Sequence, residues 1–250
     1  MSLQGTVVVI TGASRGIGRA LAVGFAAEGA TVVAAARTRR PGEGPAEGSL
    51  EETVQQITDA GGKAIAAQCD VADEAQVKAL VERTLAEAGP IDVLINNAGI
   101  SAAGPIADFT VADFDRVMAV NVRGPFLVCR YALLGMMERR KGSVINISSR
   151  SAIWESEESL VYGPSKAALD RFTLNLAVDM KQYNIAVNAL GAGLIASEMT
   201  KDVKPENDRW GRTPDPPEEM VPAALWLAQQ DASTYTGHVV HRDEFNKTWP

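Results

Sequence analysis

Tyr162 and Lys166 stand four residues apart in Tyr162-Gly163-Pro164-Ser165-Lys166. On a helix, positions i and i+4 share a face, so this spacing turns a phenol and an ammonium into one cleft. A free phenol has a pKa of about 10 and is a weak base near neutrality; a neighbouring cation stabilises its anion and brings the value down toward the working pH. The pair is a candidate general acid/base for an oxygen that gains or loses a proton. Pro164 requires the helix to begin close by, because proline fits a first turn and breaks an interior one. Upstream, Ser148 and Ser149 close an apolar β-branched run. A hydroxyl there can donate to a substrate oxygen and steady its developing charge, with a strand-end turn as the ordinary alternative use. Asn121 falls inside a long helical pattern, where asparagine is a mediocre helix former. It could hold a water that joins the lysine to solvent.

A proton donor of this kind needs a redox partner, and the N-terminal segment offers a place for one. Thr11-Gly12-Ala13-Ser14-Arg15-Gly16-Ile17-Gly18 follows a first strand and opens a helix. Glycines there can turn tightly, bring backbone close to a phosphate, and let the helix pack on the sheet while its free N–H groups face a dinucleotide pyrophosphate. The spacing is G-x-x-x-G-x-G, not the standard G-x-G-x-x-G, and a plain tight turn is the competing explanation. Asn96-Asn97-Ala98-Gly99 follows the fourth strand, so both loops would emerge at the carboxyl edge, where such sheets bind ligands. Asp70, just past the third strand, could accept from an adenine amino group or cap the next helix, although Asp73 is the better cap. After the second strand, where NAD sites place an acidic residue against the ribose, the chain reads Ala34-Ala35-Ala36-Arg37-Thr38-Arg39-Arg40 with no carboxylate. Arg37, and Arg15 in the glycine turn, could pair with a 2′-phosphate, so NADP(H) is favoured over NAD(H). Solvated surface charge is the ordinary reading of such arginines.

Seven short apolar runs (6–10, 31–36, 64–69, 93–95, 144–147, 186–190 and 238–240) alternate with helical patterns at 16–28, 50–60, 74–88, 112–139, 160–181 and 218–229. This predicts an α/β Rossmann-type fold, a doubly wound parallel sheet of about seven strands with helices on both faces. A chain of 250 residues, 46% hydrophobic, is long enough to bury a full core, and one domain over 1–250 is expected. Two stretches look irregular: 38–48, and a polar, proline-rich stretch at 201–217 within a flap expected at about 194–217. No apolar run approaches the roughly 20 residues of a membrane span, and the N-terminus enters a strand without a leader, so a soluble cytoplasmic protein is expected. The two cysteines, Cys69 and Cys129, argue against a disulfide framework and suit packing positions. A net charge of −7 gives no reason to expect nucleic acid or an anionic membrane as partner. His238 and His241 lack the company a zinc site needs, and no metal is expected.

On these residues the chain resembles the short-chain dehydrogenase/reductase family over nearly its whole length. The glycine turn matches T-G-x-x-x-G-x-G, Asn96 to Gly99 matches N-N-A-G, and Asn121, Ser149, Tyr162 and Lys166 fall in the order of the family's catalytic tetrad; of the two serines, Ser149 has the family's separation from the tyrosine. The resemblance implies that Tyr162 protonates a carbonyl oxygen during reduction, that Ser149 orients the carbonyl, and that Lys166 and Asn121 manage the proton. It implies cofactor contacts from Gly12, Ser14, Arg15, Gly16, Ile17, Gly18, Arg37, Asp70, Val71, Asn97, Ala98, Gly99, Ile195 and Ser197 besides Tyr162 and Lys166. An arginine directly after the acid position is similar to the NADP(H)-preferring branch, and some segments are similar to hydroxysteroid dehydrogenase-like proteins.

Three departures accompany the match. The family's N-x-x-x-P-G becomes Asn188-Ala189-Leu190-Gly191-Ala192-Gly193, without the proline, and Ser197 stands where threonine is usual; a looser loop here could shift the nicotinamide. Asp243-Glu244-Phe245 replaces D-G-G after the last strand and calls for a different turn and tail. Thr38 to Ser49 is longer than usual. The expected substrate is a small apolar carbonyl or alcohol, bounded by Ile153, Trp154, Leu194, Met199 and Trp210, with Glu155, Glu157 and Glu158 disfavouring a strongly anionic one. Arg139-Arg140-Lys141 could dock an acyl carrier or simply answer a helix dipole. A homodimer or homotetramer is expected. The alternative to an enzyme is a cofactor-binding sensor or scaffold with little turnover, since fold alone does not establish function.

Overall fold

Fully buried β-branched runs such as Val7-Val8-Val9-Ile10 cannot face water on either side, and the chain covers them with helices on both. In the computed structural model, which describes residues 2–44, 46–102, 104–155, 159–197, 200 and 211–250, the strands are β1 (Val7–Thr11), β2 (Thr31–Ala36), β3 (Lys63–Gln68), β4 (Val93–Asn96), β5 (Gly142–Ser148), β6 (Ile185–Gly191) and β7 (Val239–His241). They form a seven-stranded sheet in the order β3-β2-β1-β4-β5-β6-β7, with parallel pairing throughout. The helices are α1 (Gly16–Ala27), α2 (Leu50–Asp59), α3 (Glu74–Glu87), α4 (Val111–Met118), α5 (Gly124–Arg139), α6 (Tyr162–Met180) and α7 (Val221–Ala228). The chain winds outward from β1 to β3, then returns to place β4 on the other side of β1. That reversal opens a crevice at the carboxyl ends of β1 and β4, the usual ligand position in open α/β sheets.

Strand alternation divides the core. Val8 and Ile10 pack on one side with Leu21 and Phe25 of α1 and Leu227 of α7; Val9 and Leu94 pack on the other with Leu80 of α3 and Leu127, Val128 and Met136 of α5. Between the layers a polar ladder crosses the sheet. Asn96 and Asn146 are register partners; Asn96 Nδ2 donates to Asn146 Oδ1 at 2.8 Å, and Asn146 Nδ2 donates to Thr173 Oγ1 of α6 at 2.8 Å. Buried amides of this kind need partners, and the ladder ties α6 to the middle of the sheet.

The long pattern at 112–139 differs from expectation in an informative way. It spans Val111 to Arg139 but is interrupted at Ala119–Arg123 by a π turn containing Asn121. It is also long and apolar enough to cross a membrane by length and composition, contrary to the expectation that no run comes close. Its Val117, Val120, Leu127, Val128, Leu133 and Met136 are buried in the protein's own core, which accounts for that composition. The stretch 38–49, irregular in sequence, is held in place locally: Arg39 and Arg40 donate their backbone N–H groups to Glu43 Oε2, and Leu50 N–H returns to the Thr38 carbonyl at 3.1 Å. It ends in a capping box, with Glu52 N–H donating to Ser49 Oγ at 3.2 Å and Ser49 N–H to Glu52 Oε2 at 2.7 Å. Ser49→Ala should lower the unfolding free energy by about 1 kcal/mol, measured as a shift in urea midpoint at constant m; an unmoved midpoint would mean that the box contributes nothing.

Candidate active site

The first wall of the crevice is the glycine turn. Gly12 has φ +70°, and a methyl group at Gly18 would lie 2.2 Å from the Gly12 carbonyl oxygen, so the helix start and the strand end approach as closely as backbone allows. Arg15 occupies the N-cap of α1 with extended backbone and provides no side-chain cap, so the first N–H groups of α1, near Gly16 and Ile17, are not met by a capping side chain. This arrangement fits an anionic phosphate group. The turn is braced by residues that no motif points to: Thr53 Oγ1 donates to the Ala13 carbonyl at 2.9 Å, and Arg19 Nη2 to the Ser14 carbonyl at 2.7 Å. Thr11, the threonine of the T-G-x-x-x-G-x-G match, accepts at Oγ1 from the backbone N–H groups of Asn97 (3.0 Å) and Ala98 (3.1 Å). Asn97 Nδ2 donates to the carbonyls of Thr11 and Gly12, so this side chain ties the two loops together and has its amide hydrogens committed.

The remaining expected cofactor residues are distributed around the same edge. Asp70 accepts at Oδ1 from Ala72 N–H, and the capping of α3 falls to Asp73. Val71 is buried against Gly124, and Ile195 is buried and bridged to Asp215. A methyl on Gly16 would lie 3.9 Å from Ser197 Cβ, so Ser197 faces the glycine turn across the crevice. Arg37 is exposed and Arg15 half-buried, and among the described residues neither side chain forms an ion pair, whereas Arg39 and Arg40 both lie near Glu51.

The second wall is α6. It begins at Tyr162, which puts Pro164 in its first turn as its ring requires. Lys166 is 4% exposed, its Nζ donates to the Ile147 carbonyl at 2.8 Å, and it stands 5.7 Å from the Tyr162 ring centroid. Ser149, the residue after β5, acts on the phenol to lower its pKa, and its Oγ accepts from Ser151 N–H at 3.1 Å. Asn121, fully buried in its wide turn, donates from Nδ2 to the Ile100 carbonyl and to Ser165 Oγ, and accepts at Oδ1 from Ile100 N–H, each at 2.9 Å. Its amide is therefore a tie between the 97–100 loop and α6, and the water expected on it has no amide hydrogen left to accept from. A methyl on Gly99 would lie 3.4 Å from Lys166 Nζ and 3.5 Å from Asn121 Oδ1, so the two loops meet over the lysine.

The electrostatics differ from the sequence expectation. Burial raises the Tyr162 pKa, with the Ser149 hydrogen bond opposing, so the phenol lies above its ordinary value and is not brought down. Desolvation of a phenolate outweighs the help available here, and the ammonium is turned onto the Ile147 carbonyl. Burial also lowers Lys166 to about 8, with Asp170 opposing. Asp170, one turn beyond Lys166 and 9% exposed, has its own carboxyl pushed up by burial, against the Ser148 hydroxyl and the ammonium. Nothing in the motifs marked it; the i, i+4, i+8 spacing from Tyr162 does. The thiols of Cys69 and Cys129 are buried and pushed up to about 12, which suits packing and not nucleophilic work.

Ser151, Ile153, Trp154, Glu155, Leu160 and Pro164 help line a shallow cavity of about 420 Å³ beside the start of α6. Tyr162 and Ser149 are not in its lining. Met199, Trp210, Glu157 and Glu158 lie outside the described residues. At the position of the missing proline, Ala192 is buried and its N–H donates to the Ser148 carbonyl at 3.2 Å. The basic cluster at the end of α5 is used internally, with Arg139 on Asp92 at 2.8 Å and Arg140 donating to the Gln182 carbonyl at 2.6 Å.

Comparison with known proteins agrees with this geometry. The family model for short chain dehydrogenase matches residues 6–208. A 2-dehydro-3-deoxy-D-gluconate 5-dehydrogenase of Formosa agariphila is 32% identical over 96% of this chain and 92% of its own; a 3-oxoacyl-[acyl-carrier-protein] reductase of Thermotoga maritima is 35% identical over 97% and 98%. Among solved structures, a candidate NAD(P)-dependent gluconate 5-dehydrogenase from Beutenbergia cavernae, with NADP bound at low occupancy, superimposes with a TM-score of 0.86 at 31% identity and 96% coverage of both chains. The chain belongs to the short-chain dehydrogenase family. It is an oxidoreductase of the kind that acts on CH–OH and C=O groups.

The lysine carries a stability signature. Its folded value of about 8 lies below the ordinary 10.5, so the unfolded chain binds the extra proton between those values and stability rises with pH through that window. Below pH 8 the buried ammonium costs the full amount, about 3 kcal/mol. Lys166→Met should therefore melt higher than wild type at pH 7, and the gain should shrink as pH rises toward 10; a difference that does not vary with pH would contradict this.

Proposed function

We propose that this oxidoreductase is NADP(H)-dependent and interconverts a ketone or aldehyde with an alcohol, with Tyr162 as the general acid/base. The observation that carries the reading is the meeting of Ser149, Tyr162 and Lys166 at the same sheet edge as the glycine turn, with Gly99 and Asn121 closing over the lysine. The turn and the start of α1 would hold the pyrophosphate, and Asp70 would reach the adenine end. Bound there, the nicotinamide supplies or takes the hydride. Ser149 donates to the substrate oxygen and holds it against the phenol; Tyr162 gives that oxygen its proton in reduction and takes it back in oxidation. Lys166 would anchor the proton path at its inner end and donate to the nicotinamide ribose hydroxyls. Arg37 and Arg15, both without an ion-pair partner among the described residues, receive the 2′-phosphate, in keeping with NADP in the Beutenbergia cavernae structure.

The apolar faces of Ile153, Trp154 and Leu160 favour an apolar substrate, and exposed Glu155 at the rim opposes an anionic one. Exposed Val111 and Phe114 of α4, Phe126 and Leu134 of α5, and Val178 of α6 form the surface through which copies of the chain pair. Light scattering reporting a monomer at micromolar concentration would rule that pairing out.

Because the phenol is held protonated across neutral pH, reduction should run on a flat kcat/KM plateau through that range and oxidation should climb as pH rises. Tyr162→Phe should lose roughly 10³-fold in kcat with NADPH affinity nearly unchanged, scored by cofactor absorbance and fluorescence titration. Retained turnover would exclude the acid/base role, and tight NADPH binding with no turnover of any carbonyl by wild type would favour a sensor or scaffold. Arg37→Ala should reduce kcat/KM for NADPH by roughly 10- to 100-fold, the value of one charge-assisted bond, while leaving NADH almost untouched; equal effects on both cofactors would exclude the 2′-phosphate contact.

A further inference from the structure

Two guanidinium groups cross between the C-terminal tail and the loops that border the reaction site. β7 ends in a 3₁₀ turn, Arg242–Glu244. From it Arg242, its side chain 11% exposed, reaches Asp215 Oδ2 at 2.6 Å, approaches Glu219 Oε2 at 4.0 Å, and donates from Nε to the Ala192 carbonyl at 3.4 Å. Asp215 is paired with the same loop through its backbone, accepting from Ala196 N–H at 2.8 Å and donating to the Leu194 carbonyl at 2.9 Å. One side chain thus holds Asp215, whose backbone pairs with Leu194 and Ala196, and the carbonyl at the position where the family's proline is missing. In the opposite direction Arg150, the residue after Ser149, reaches from its loop to the tail. Its Nη2 donates to Asp243 Oδ1 and Oδ2 at 2.8 and 2.9 Å and to Glu244 Oε1 at 2.8 Å, and its guanidinium lies 4.6 Å from the Trp154 ring.

The tail itself is anchored. Trp249 Nε1 donates to the His241 carbonyl at 3.0 Å, and Trp249 packs with Trp226 and Phe245. His241 lies against Gly191, where a methyl would be 2.1 Å from its Nδ1, so the end of β7 is seated directly on the end of β6. Partly buried ion pairs add little net stability, and their best-attested use is to fix register between elements.

We propose that the 242–244 turn is a clamp that sets the spacing between the serine loop (149–154) and the loop after β6 (192–197), with Arg242 and Arg150 as positioning residues for the reaction. Neither touches the reacting atoms. The proposal rests on the oxidoreductase reading above: if these loops hold substrate oxygen and nicotinamide, their spacing determines whether the phenol and the hydride reach one carbonyl together, and small misplacements slow such reactions strongly.

The test compares full-length wild type with Arg242→Ala, Arg242→Lys and the double variant Asp243→Asn/Glu244→Gln. The double variant leaves Arg242 in place and serves if Arg242→Ala does not fold. Hydrogen–deuterium exchange of the 149–154 and 192–197 segments should accelerate at least tenfold in Arg242→Ala and in the double variant, with exchange in β1 and β5 unchanged. With NADPH and a ketone that wild type reduces, kcat should fall about tenfold, ketone KM should move less than threefold, and the isotope effect with 4-deuterated NADPH should rise as hydride transfer becomes limiting. Arg242→Lys should recover part of kcat, because an ammonium keeps the Asp215 pair. Unchanged loop exchange, or accelerated exchange with unaltered kcat and isotope effect, would overturn the clamp. If wild type binds NADPH but reduces no carbonyl, the oxidoreductase reading fails by itself, and the exchange data still decide whether the tail holds the two loops.

Discussion

The site is organised around a buried ammonium. Lys166 sits almost out of water with its Nζ on the Ile147 carbonyl, and a charge in that position is tolerable only if every neighbouring element stays in place. The surrounding contacts meet that requirement. Asn121 binds α6 to the 97–100 loop, the Asn96–Asn146–Thr173 ladder binds α6 to the sheet, and the glycine turn is tied to the same loop through Thr11 and Asn97. The π turn in the Val111–Arg139 stretch falls at Asn121, whose amide completes this bracing.

Burial also sets the chemistry. Moving the phenol and the ammonium out of water acts on them in opposite directions, raising Tyr162 and lowering Lys166. The two groups are driven toward their neutral forms, which keeps the proton on the phenol near neutrality. That polarity suits proton delivery to a carbonyl oxygen. In the proposed reaction the oxidative direction would then depend on charge brought by a ligand or on alkaline pH. Asp170, one helical turn further in, keeps the lysine value from falling further.

Much of the fold was legible because its signals are local. Buried β-branched runs, the glycine turn and the Tyr162–Lys166 spacing each depend on a few adjacent residues, and the observed strand bounds lie within two residues of the predicted ones. The residues proposed to bind the nucleotide gather at one edge because parallel strands deliver every βα loop to the same side. Less legible were residues whose partners are far along the chain. Thr53, 40 residues from Ala13, braces the glycine turn, and Arg150 finds its carboxylates 93 and 94 residues away. At Ala192, where the proline is missing, the carbonyl accepts from Arg242, 50 residues away in the last strand's exit turn.

Sequence by itself determined the class of chemistry: a phenol and an ammonium on one helical face, a hydroxyl at a strand end, and a glycine turn ahead of a helix, all consequences of helix and strand periodicity. Tertiary structure decided the direction in which burial moves the phenol and the ammonium, which arginines lack an ion-pair partner among the described residues, and how a divergent tail contacts two loops. The physical reason is that periodicity is a property of neighbouring residues, whereas desolvation and ion pairing depend on what the rest of the chain brings within a few ångströms.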